Sequence, residues 1–583
     1  MGRDRVAASA PTFDIVIRGG LVIDGSGSAP YEADVAVQDG KICAVGTIEG
    51  TGEEEIDARG RIVTPGFIDI HTHYDGQVTW EDTLAPSSNH GVTTVVMGNC
   101  GVGFAPCKPE NRDMLVRVME GVEDIPEVVM VEGLPWNWES FPEYLDALEA
   151  RRADIDFAAQ IPHAPVRIHV MGQRGADREP PSDEDLSEMT RIVAEGVRAG
   201  AFGVTTSRSL AHRTASGDLA PTVTSEEKEY RALAEGLRVA GSGVFQLIPG
   251  AQEGKDPAEE MAMLRRLSEI AGRPLSFSLL NTVQHPDNME ATLGLLSETT
   301  GDGLPIRAQV FPRAVGILYG LDLSFHPFRF HPSYRKIEAL SLAERVAAMR
   351  DPAMRARLLA EKAEHSNPTF LYLAGQTAQL FPLGDPPDYE PLPEYSIGAR
   401  AEALGMSPEE LAYDLLLEQE GHATLMLPAA NYVGGSLEPV RSMLEHPDTL
   451  VALGDGGAHY GMICDSSYPT TLLAYWTRDR SRGPRLPLPW AVKALTNNNA
   501  VALGLKDRGL IAAGMKADIN VIDYDGLRLH APTAVHDLPA GGRRLVQRAD
   551  GYDATIVSGV ITRRRGERTG ALPGRLVRNK AAA

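Results

Sequence analysis

The chain has 583 residues, 43% hydrophobic and 23% charged, a balance that fits a large globular catalytic domain with one or more smaller ones. A net charge of -23 argues against nucleic acid or an anionic membrane surface as partner, since both need a basic face, and leaves a small-molecule substrate. The four cysteines, Cys43, Cys100, Cys107 and Cys464, have no CxxC spacing and make no disulfide framework, which fits a reducing cytoplasm.

Read in chain order, residues 1–10 form a loose tail without the apolar core of a signal peptide, and no apolar run approaches membrane length. Phe13–Arg18, Gly20–Ile23, Ala33–Gln38, Lys41–Val45 and Gly60–Val63 read as short strands with glycine turns between them. From Pro65 the rhythm changes to apolar strands alternating with amphipathic helices. Strands are expected at Gly66–Ile70, Val92–Gly98, Asp156–Pro162, Phe202–Thr206, Gly243–Ile248, Leu275–Leu280, Ile306–Phe311 and Leu450–Gly454. Helices are expected at Ser182–Ala199, Ser225–Ala240 and Pro257–Ile270, with Ser182 and Ser225 as N-caps. Buried strands in repeated βα units imply an α/β fold with parallel sheet, and eight of them suggest a (β/α)8 TIM barrel over residues 66–504, ahead of an open doubly wound sheet. Residues 313–422 are too long for one loop and read as an insertion late in the barrel, with helices Leu342–Met349 and Pro408–Glu418; Ala423–Leu427 is a further strand. Asp518–Asp523 and Thr555–Ser558 return to β character, so residues 11–65 and 505–575 are expected to form one small β-sandwich domain from both chain ends. Lys580–Ala583 reads as a second tail.

The strongest chemical signal is Pro65-Gly66-Phe67-Ile68-Asp69-Ile70-His71-Thr72-His73. Side chains two apart on a strand share a face, so His71 and His73 point the same way at the strand's C-terminal end, the active-site end of a barrel. Two imidazoles there suit one metal ion such as Zn²⁺, and Asp69 on the same side is placed to orient an imidazole. IVTPGFIDIHTH resembles the first barrel strand of the amidohydrolase superfamily, and DIVIRGGLVIDGSG, DGKICAVG and RGLIAAGMKADINVIDYD resemble the blocks of that superfamily's small β-domain.

Gly98-Asn99-Cys100-Gly101 resembles the GNCG of the D-aminoacylases, in which a cysteine replaces a bridging carboxylated lysine; the resemblance implies that Cys100 is a metal ligand. Gly454-Asp455-Gly456-Gly457-Ala458-His459 resembles the block that carries the family's catalytic aspartate. Asp455 is then a ligand and the general base, passing its proton to the leaving amine, while His459 either donates to the tetrahedral intermediate or simply sits in the loop. His163, in a block similar to the family's third strand, is a candidate partner of the acyl oxygen. Arg208 and Arg313 are candidates to grip a substrate carboxylate, and Tyr319, Phe325, His326 and Phe328 candidates for an acyl pocket. The sequence departs from the family at Leu247 and Leu279, aligned with metal-ligand histidines of the fifth and sixth strands. One zinc on His71, His73, Cys100 and Asp455 is therefore expected. The implied activity is hydrolysis of N-acyl-D-amino acids to a carboxylate and a free D-amino acid. A cyclic amide hydrolase of dihydropyrimidinase type and a silent, metal-poor ligand-binding relative are the other readings. The subunit number stays open, a homo-oligomer included.

Overall fold

The computed structural model describes residues 12–579, so both tails lie outside the described residues. Thr12–Val22 is one strand where the sequence suggested two; a bulge between Ile17 and Gly20 bends it without ending it. The bend brings backbone so close that a Cβ on Gly20 would sit 2.4 Å from Val63 Cγ2. The first half of this strand pairs with Tyr31–Gln38 and, in parallel, with Thr51–Asp57; the second half also meets Ile62–Pro65. Thr51–Asp57 escaped the sequence reading because TGEEEID carries a single apolar residue, Ile56. Lys41–Gly46 pairs with Tyr31–Gln38, Ile62–Pro65 pairs with Ile519–Ile522, and Tyr552–Val557, Val560–Arg564 and Glu567–Arg568 complete a nine-stranded sheet drawn from both chain ends. Residues 528–550, expected in the same unit, instead form two small ladders whose Leu529 and Leu545 pack against the insertion.

The catalytic region holds eight parallel strands, labelled β1 (Phe67–Asp69), β2 (Val92–Met97), β3 (Asp156–Ala159, continued past Gln160 by Ile161–Pro162), β4 (Gly203–Ser207), β5 (Val244–Ile248), β6 (Leu275–Leu279), β7 (Ile306–Val310) and β8 (Thr449–Val451). They lie in two arcs. One contains β1, β2 and the first part of β3; the other runs from the second part of β3 through β4, β5, β6 and β7 to β8. At Gln160 the arcs adjoin along one strand. At the other seam, Asn499 donates its amide to Ile68 O at 2.8 Å and Val451 O at 3.0 Å, while Asp455 N–H bonds His71 O at 3.1 Å and His73 N–H bonds Gly456 O at 2.7 Å.

Four helices matter to the site: α1 (Arg112–Glu123), α2 (Asp183–Ala199), α3 (Glu227–Ala240) and α4 (Pro257–Ala271). Ser182 caps α2 in a full capping box with Asp185. Ser225 does not cap α3: the helix starts two residues later behind Glu226, and the Ser225 hydroxyl has no partner among the described residues. After β7, Val315–Tyr319, Phe381–Pro382 and Leu425–Ala430 form a three-stranded antiparallel sheet, so the insertion has strands as well as helices. Leu342–Met349 and Pro408–Leu416 are helical. The insertion has its own core, to which Tyr319, Phe325 and Phe328 belong, and its Ile317, Phe370 and Leu373 line a cavity shared with the C-terminal ends of the parallel strands. No helix among the described residues is long and apolar enough to cross a membrane.

Candidate metal centre and active site

The C-terminal ends of β1, β2 and β8 bring four predicted residues together. His71 and His73 follow β1, Cys100 follows β2 and Asp455 follows β8. The GNCG turn is held by Asn99, which donates to Thr72 O at 3.1 Å and Val96 O at 2.9 Å, and by Gly101 N–H, which donates to Thr205 Oγ1 at 3.1 Å. Gly454 is required at its position: a Cβ there would lie 2.1 Å from Asp69 Oδ2. Cys100 (φ 56°), Leu453 (φ 67°), Asp455 (φ 47°) and His459 (φ 51°) all adopt left-handed backbone, which costs roughly 1–2 kcal/mol per residue and persists here because packing fixes it.

His71 Nε2 lies 3.3 Å from Cys100 Sγ and 3.5 Å from Asp455 Oδ1, and His73 Nε2 lies 3.7 Å from the same Oδ1. Ligand atoms of His71, His73 and Cys100 all fall within 4.8 Å of one another, and all three residues are buried. Both nitrogens of His73, both oxygens of Glu123 and Oδ1 of Asp455 are buried and have no hydrogen-bond partner among the described residues. Orphaned polar atoms at such depth are rare, and these converge with a thiol, two imidazoles and a carboxylate, a donor set that suits zinc. Burial, with a smaller opposing pull from Asp455, brings His71 down to about 4, leaving it neutral and able to ligate. Burial pushes the Cys100 thiol up to about 12, so a metal must displace its proton. Burial also raises the Asp69 carboxyl to about 8, with Asp455 adding repulsion. For Asp455 burial works upward, but the neighbouring imidazoles of His73, His71 and His459 outweigh it and hold the carboxyl well below the usual range.

A cavity of about 360 Å³ opens above this cluster, lined by His71, Cys100, Asp455 and His459 among others. Its walls include the apolar Ile248, Leu280, Phe311 and Phe370 and five carboxylates, Glu120, Glu123, Asp124, Asp455 and Asp465; no lysine or arginine among the described residues lines it.

Several expectations are corrected. His163 does not face the cavity: it is fully buried, 2.8 Å from Thr206 Oγ1 and 2.8 Å from Glu229 Oε1, in a network with Arg167. Arg208 is turned away to Glu260 at 2.5 Å. Arg313 is buried behind the wall, donating to Asp465 at 2.8 Å, Cys464 O at 2.7 Å and Ser467 Oγ at 2.9 Å, with its guanidinium 3.8 Å from the Tyr389 ring centre. Each of these charges is consumed by a structural partner, since a buried cation must be paired. Tyr319, Phe325, His326 and Phe328 are buried inside the insertion and do not line the cavity. Asp69 accepts the backbone N–H of His71 at 3.1 Å, not an imidazole. Leu247 and Leu279 belong to the buried core and do not line the cavity. Because side chains alternate along a strand, Ile248 on β5 and Ser278 on β6, each one residue away, are the residues that do. The register shifts by one, and neither cavity-facing position carries a histidine.

Two partners of the histidines were missed. Gln309 on β7 accepts from His71 Nδ1 at 2.8 Å and donates to Ser276 Oγ at 3.0 Å. Glu123, the last residue of α1, lies 3.5 Å from His73 Nδ1 and 3.6 Å from His459 Nε2. His212 also lines the cavity, kept neutral by burial, which lowers it to about 3.

Residues 54–563 match the Amidohydrolase family. A D-aminoacylase from Alcaligenes xylosoxydans xylosoxydans is 26% identical over 577 residues, covering 98% of each chain. A D-aminoacylase structure described for its binuclear metal centre, with one-metal activation and second-metal attenuation, superposes with a TM-score of 0.65 at 22% identity over 97% of this chain and 100% of that one. The N-acyl-D-glutamate deacylase of Bordetella bronchiseptica, complexed with zinc and a phosphonate mimic of the tetrahedral intermediate, gives a TM-score of 0.64 at 22% identity with the same coverage. A histidine pair after the first strand, a cysteine after the second and an aspartate after the last thus sit on a fold shared with these enzymes, and the chain belongs to the amidohydrolase family as a divergent relative of the D-aminoacylases.

Proposed function

We propose that this protein hydrolyses the amide bond of N-acyl-D-amino acids, using one zinc ion held by His71, His73, Cys100 and Asp455 at the mouth of a closed (β/α)8 barrel. The observation that carries this reading is the convergence of those four side chains with unpartnered buried atoms beneath a substrate-sized cavity. The bonds across the β1–β8 seam support closure of the barrel. When bound, the metal supplies Lewis-acid polarisation of the amide carbonyl and lowers the pKa of a water. Asp455, within reach of both imidazoles, would take a proton at its carboxylate from the attacking water as the water oxygen bonds the amide carbon, and return it to the nitrogen as the C–N bond breaks. His459 at the cavity wall is placed to donate to the developing oxyanion. One ion suffices, since β5 and β6 offer the cavity Ile248 and Ser278 where a second metal would need imidazoles.

A second reading is favoured by the cavity wall. With five carboxylates and no lysine or arginine among the described residues of its lining, the site offers no side-chain cation to clamp a substrate carboxylate. Neutral N-acyl amides then fit better than free acids. Amine release from N-acetyl-D-leucine, N-acetyl-L-leucine, N-acetyl-D-glutamate and N-acetyl-D-leucinamide separates the readings. Turnover of the D-acid supports the deacylase. Turnover of the leucinamide with neither leucine acid hydrolysed supports the second reading.

Metal content checks the centre directly. Protein purified without added metal is expected to hold or take up about one zinc per chain. The double variant His71→Ala, His73→Ala is expected to fall below about a tenth of that, because a thiol and a carboxylate alone make a poor site. Unchanged zinc in the double variant would place the site elsewhere.

A further inference from the structure

Glu123 has no role in the reading above, yet its setting is unusual. Its side chain is 1% exposed, both carboxylate oxygens lack a hydrogen-bond partner, and no lysine or arginine lies within ion-pair distance among the described residues. Burying an unpaired carboxylate is strongly unfavourable, so something at this point must repay the desolvation. Among the described residues, two ionisable groups come within ion-pair distance of it: His73 Nδ1 at 3.5 Å from Oε1 and His459 Nε2 at 3.6 Å from Oε2.

The backbone around it is pinned from two directions. The backbone N–H of His459 donates to the Glu123 carbonyl, tying the end of α1 to the loop after β8. The next residue, Asp124, takes the left-handed conformation (φ 51°) and accepts from Ser324 Oγ at 2.9 Å and Gly461 N at 3.0 Å. The carboxylate is thereby fixed between the metal cluster and the cavity wall.

Gln309 supplies the comparison. It accepts from His71 Nδ1, which leaves Nε2 of that ring facing Cys100 and Asp455. His73 is turned the same way, with Nε2 toward Asp455 and Nδ1 toward Glu123. We propose that Glu123 is the positioning residue of the centre: it accepts the Nδ1–H of His73, so that Nε2 carries the lone pair toward the metal, and it holds His459 at the cavity wall. The two imidazoles are then oriented by different acceptors, a neutral amide on β7 and a carboxylate at the end of α1. Acceptors of this kind set the ring tautomer and orientation of a ligating histidine, and their loss typically weakens metal binding about 10–100-fold.

The inference rests on the metal centre proposed above, and its test reads metal affinity apart from turnover. Zinc affinity is measured by competition with a chromophoric chelator on the full chain, for the wild type, Glu123→Gln and Glu123→Met. Glutamine keeps an acceptor oxygen; methionine fills similar volume without one. The expected result is a loss of about 10–100-fold in Glu123→Met, with Glu123→Gln recovering most of it. Because glutamine leaves His459 without its charged partner, Glu123→Gln is also expected to lose kcat with KM nearly unchanged. Thermal melting of each variant monitors the fold, and removing a buried charge leaves both able to fold. Wild-type zinc affinity in Glu123→Met overturns the positioning role while leaving the metal centre intact. Equal losses in the methionine and glutamine variants overturn the acceptor argument. A wild-type chain that binds no zinc overturns the metal centre itself and this inference with it.

Discussion

Asp455→Asn is expected to lower kcat/KM by about 10²–10⁴-fold while the protein stays folded and metal-loaded. Asparagine has the shape of aspartate but cannot hold a proton in transit. It also tolerates left-handed backbone better than most residues, so the φ of 47° at this position adds little new strain. His71, His73 and Cys100 remain as the proposed ligands, so zinc content should fall far less than activity. The measurement is kcat/KM per bound zinc, with the melting temperature as control. Near-normal turnover in a metal-loaded Asp455→Asn protein would remove Asp455 from the chemistry and shift attention to Glu123 or His459.

Glu229→Ala is expected to destabilise the fold by about 3–5 kcal/mol, the largest single-residue stability effect anticipated here. Glu229 on α3 is fully buried, 2.8 Å from His163 Nε2 and 2.5 Å from Arg167 Nη1. Alanine would strand the Arg167 guanidinium, itself 2% exposed, without a counter-charge. Burial pushes the Glu229 carboxyl upward, but His163 and Arg167 outweigh it and bring it down to about 2 from an ordinary 4.5. A depressed carboxylate stabilises the native state fully above its ordinary value, and this contribution disappears as pH falls from about 4.5 to about 2. Denaturant unfolding of wild type and Glu229→Gln should therefore show a gap at pH 7 that narrows by pH 3. A Glu229→Ala protein with the wild-type unfolding midpoint would show that this network contributes nothing.

What was legible in the sequence is what is local in the chain. His71 and His73 sit two apart just past the end of an apolar strand, and Cys100 and Asp455 each end an apolar run in a glycine-framed turn, so strand periodicity and turn chemistry expose them. The strand–helix alternation was legible for the same reason, and so were the helices Leu342–Met349 and Pro408–Leu416 behind their serine caps. Illegible were the partners that decide what a polar residue does. His163, Arg208 and Arg313 look available until their carboxylates Glu229, Glu260 and Asp465 arrive from 66, 52 and 152 residues away. Glu123 sits at the end of an ordinary amphipathic helix and Gln309 in the middle of a strand, and neither position carries a local signature of its neighbour. Leu247 was displaced by one residue because VFQLI is apolar on both faces except at Gln246, which leaves period-two alternation too weak to fix which side faces the cavity.

The pairing of Ile62–Pro65 with Ile519–Ile522 joins positions more than four hundred residues apart, and Tyr552–Val557 must then dock outside them. On the ribosome the first strands of this sheet emerge long before their neighbours. Until residue 522 and the strands after it leave the exit tunnel, Ile62–Pro65 presents an unpaired edge rich in β-branched residues, the kind that recruits other chains. The whole catalytic region is synthesised during that interval. The yield of soluble protein should therefore respond more to slower translation, lower temperature or added chaperone capacity than to the stability of the finished molecule.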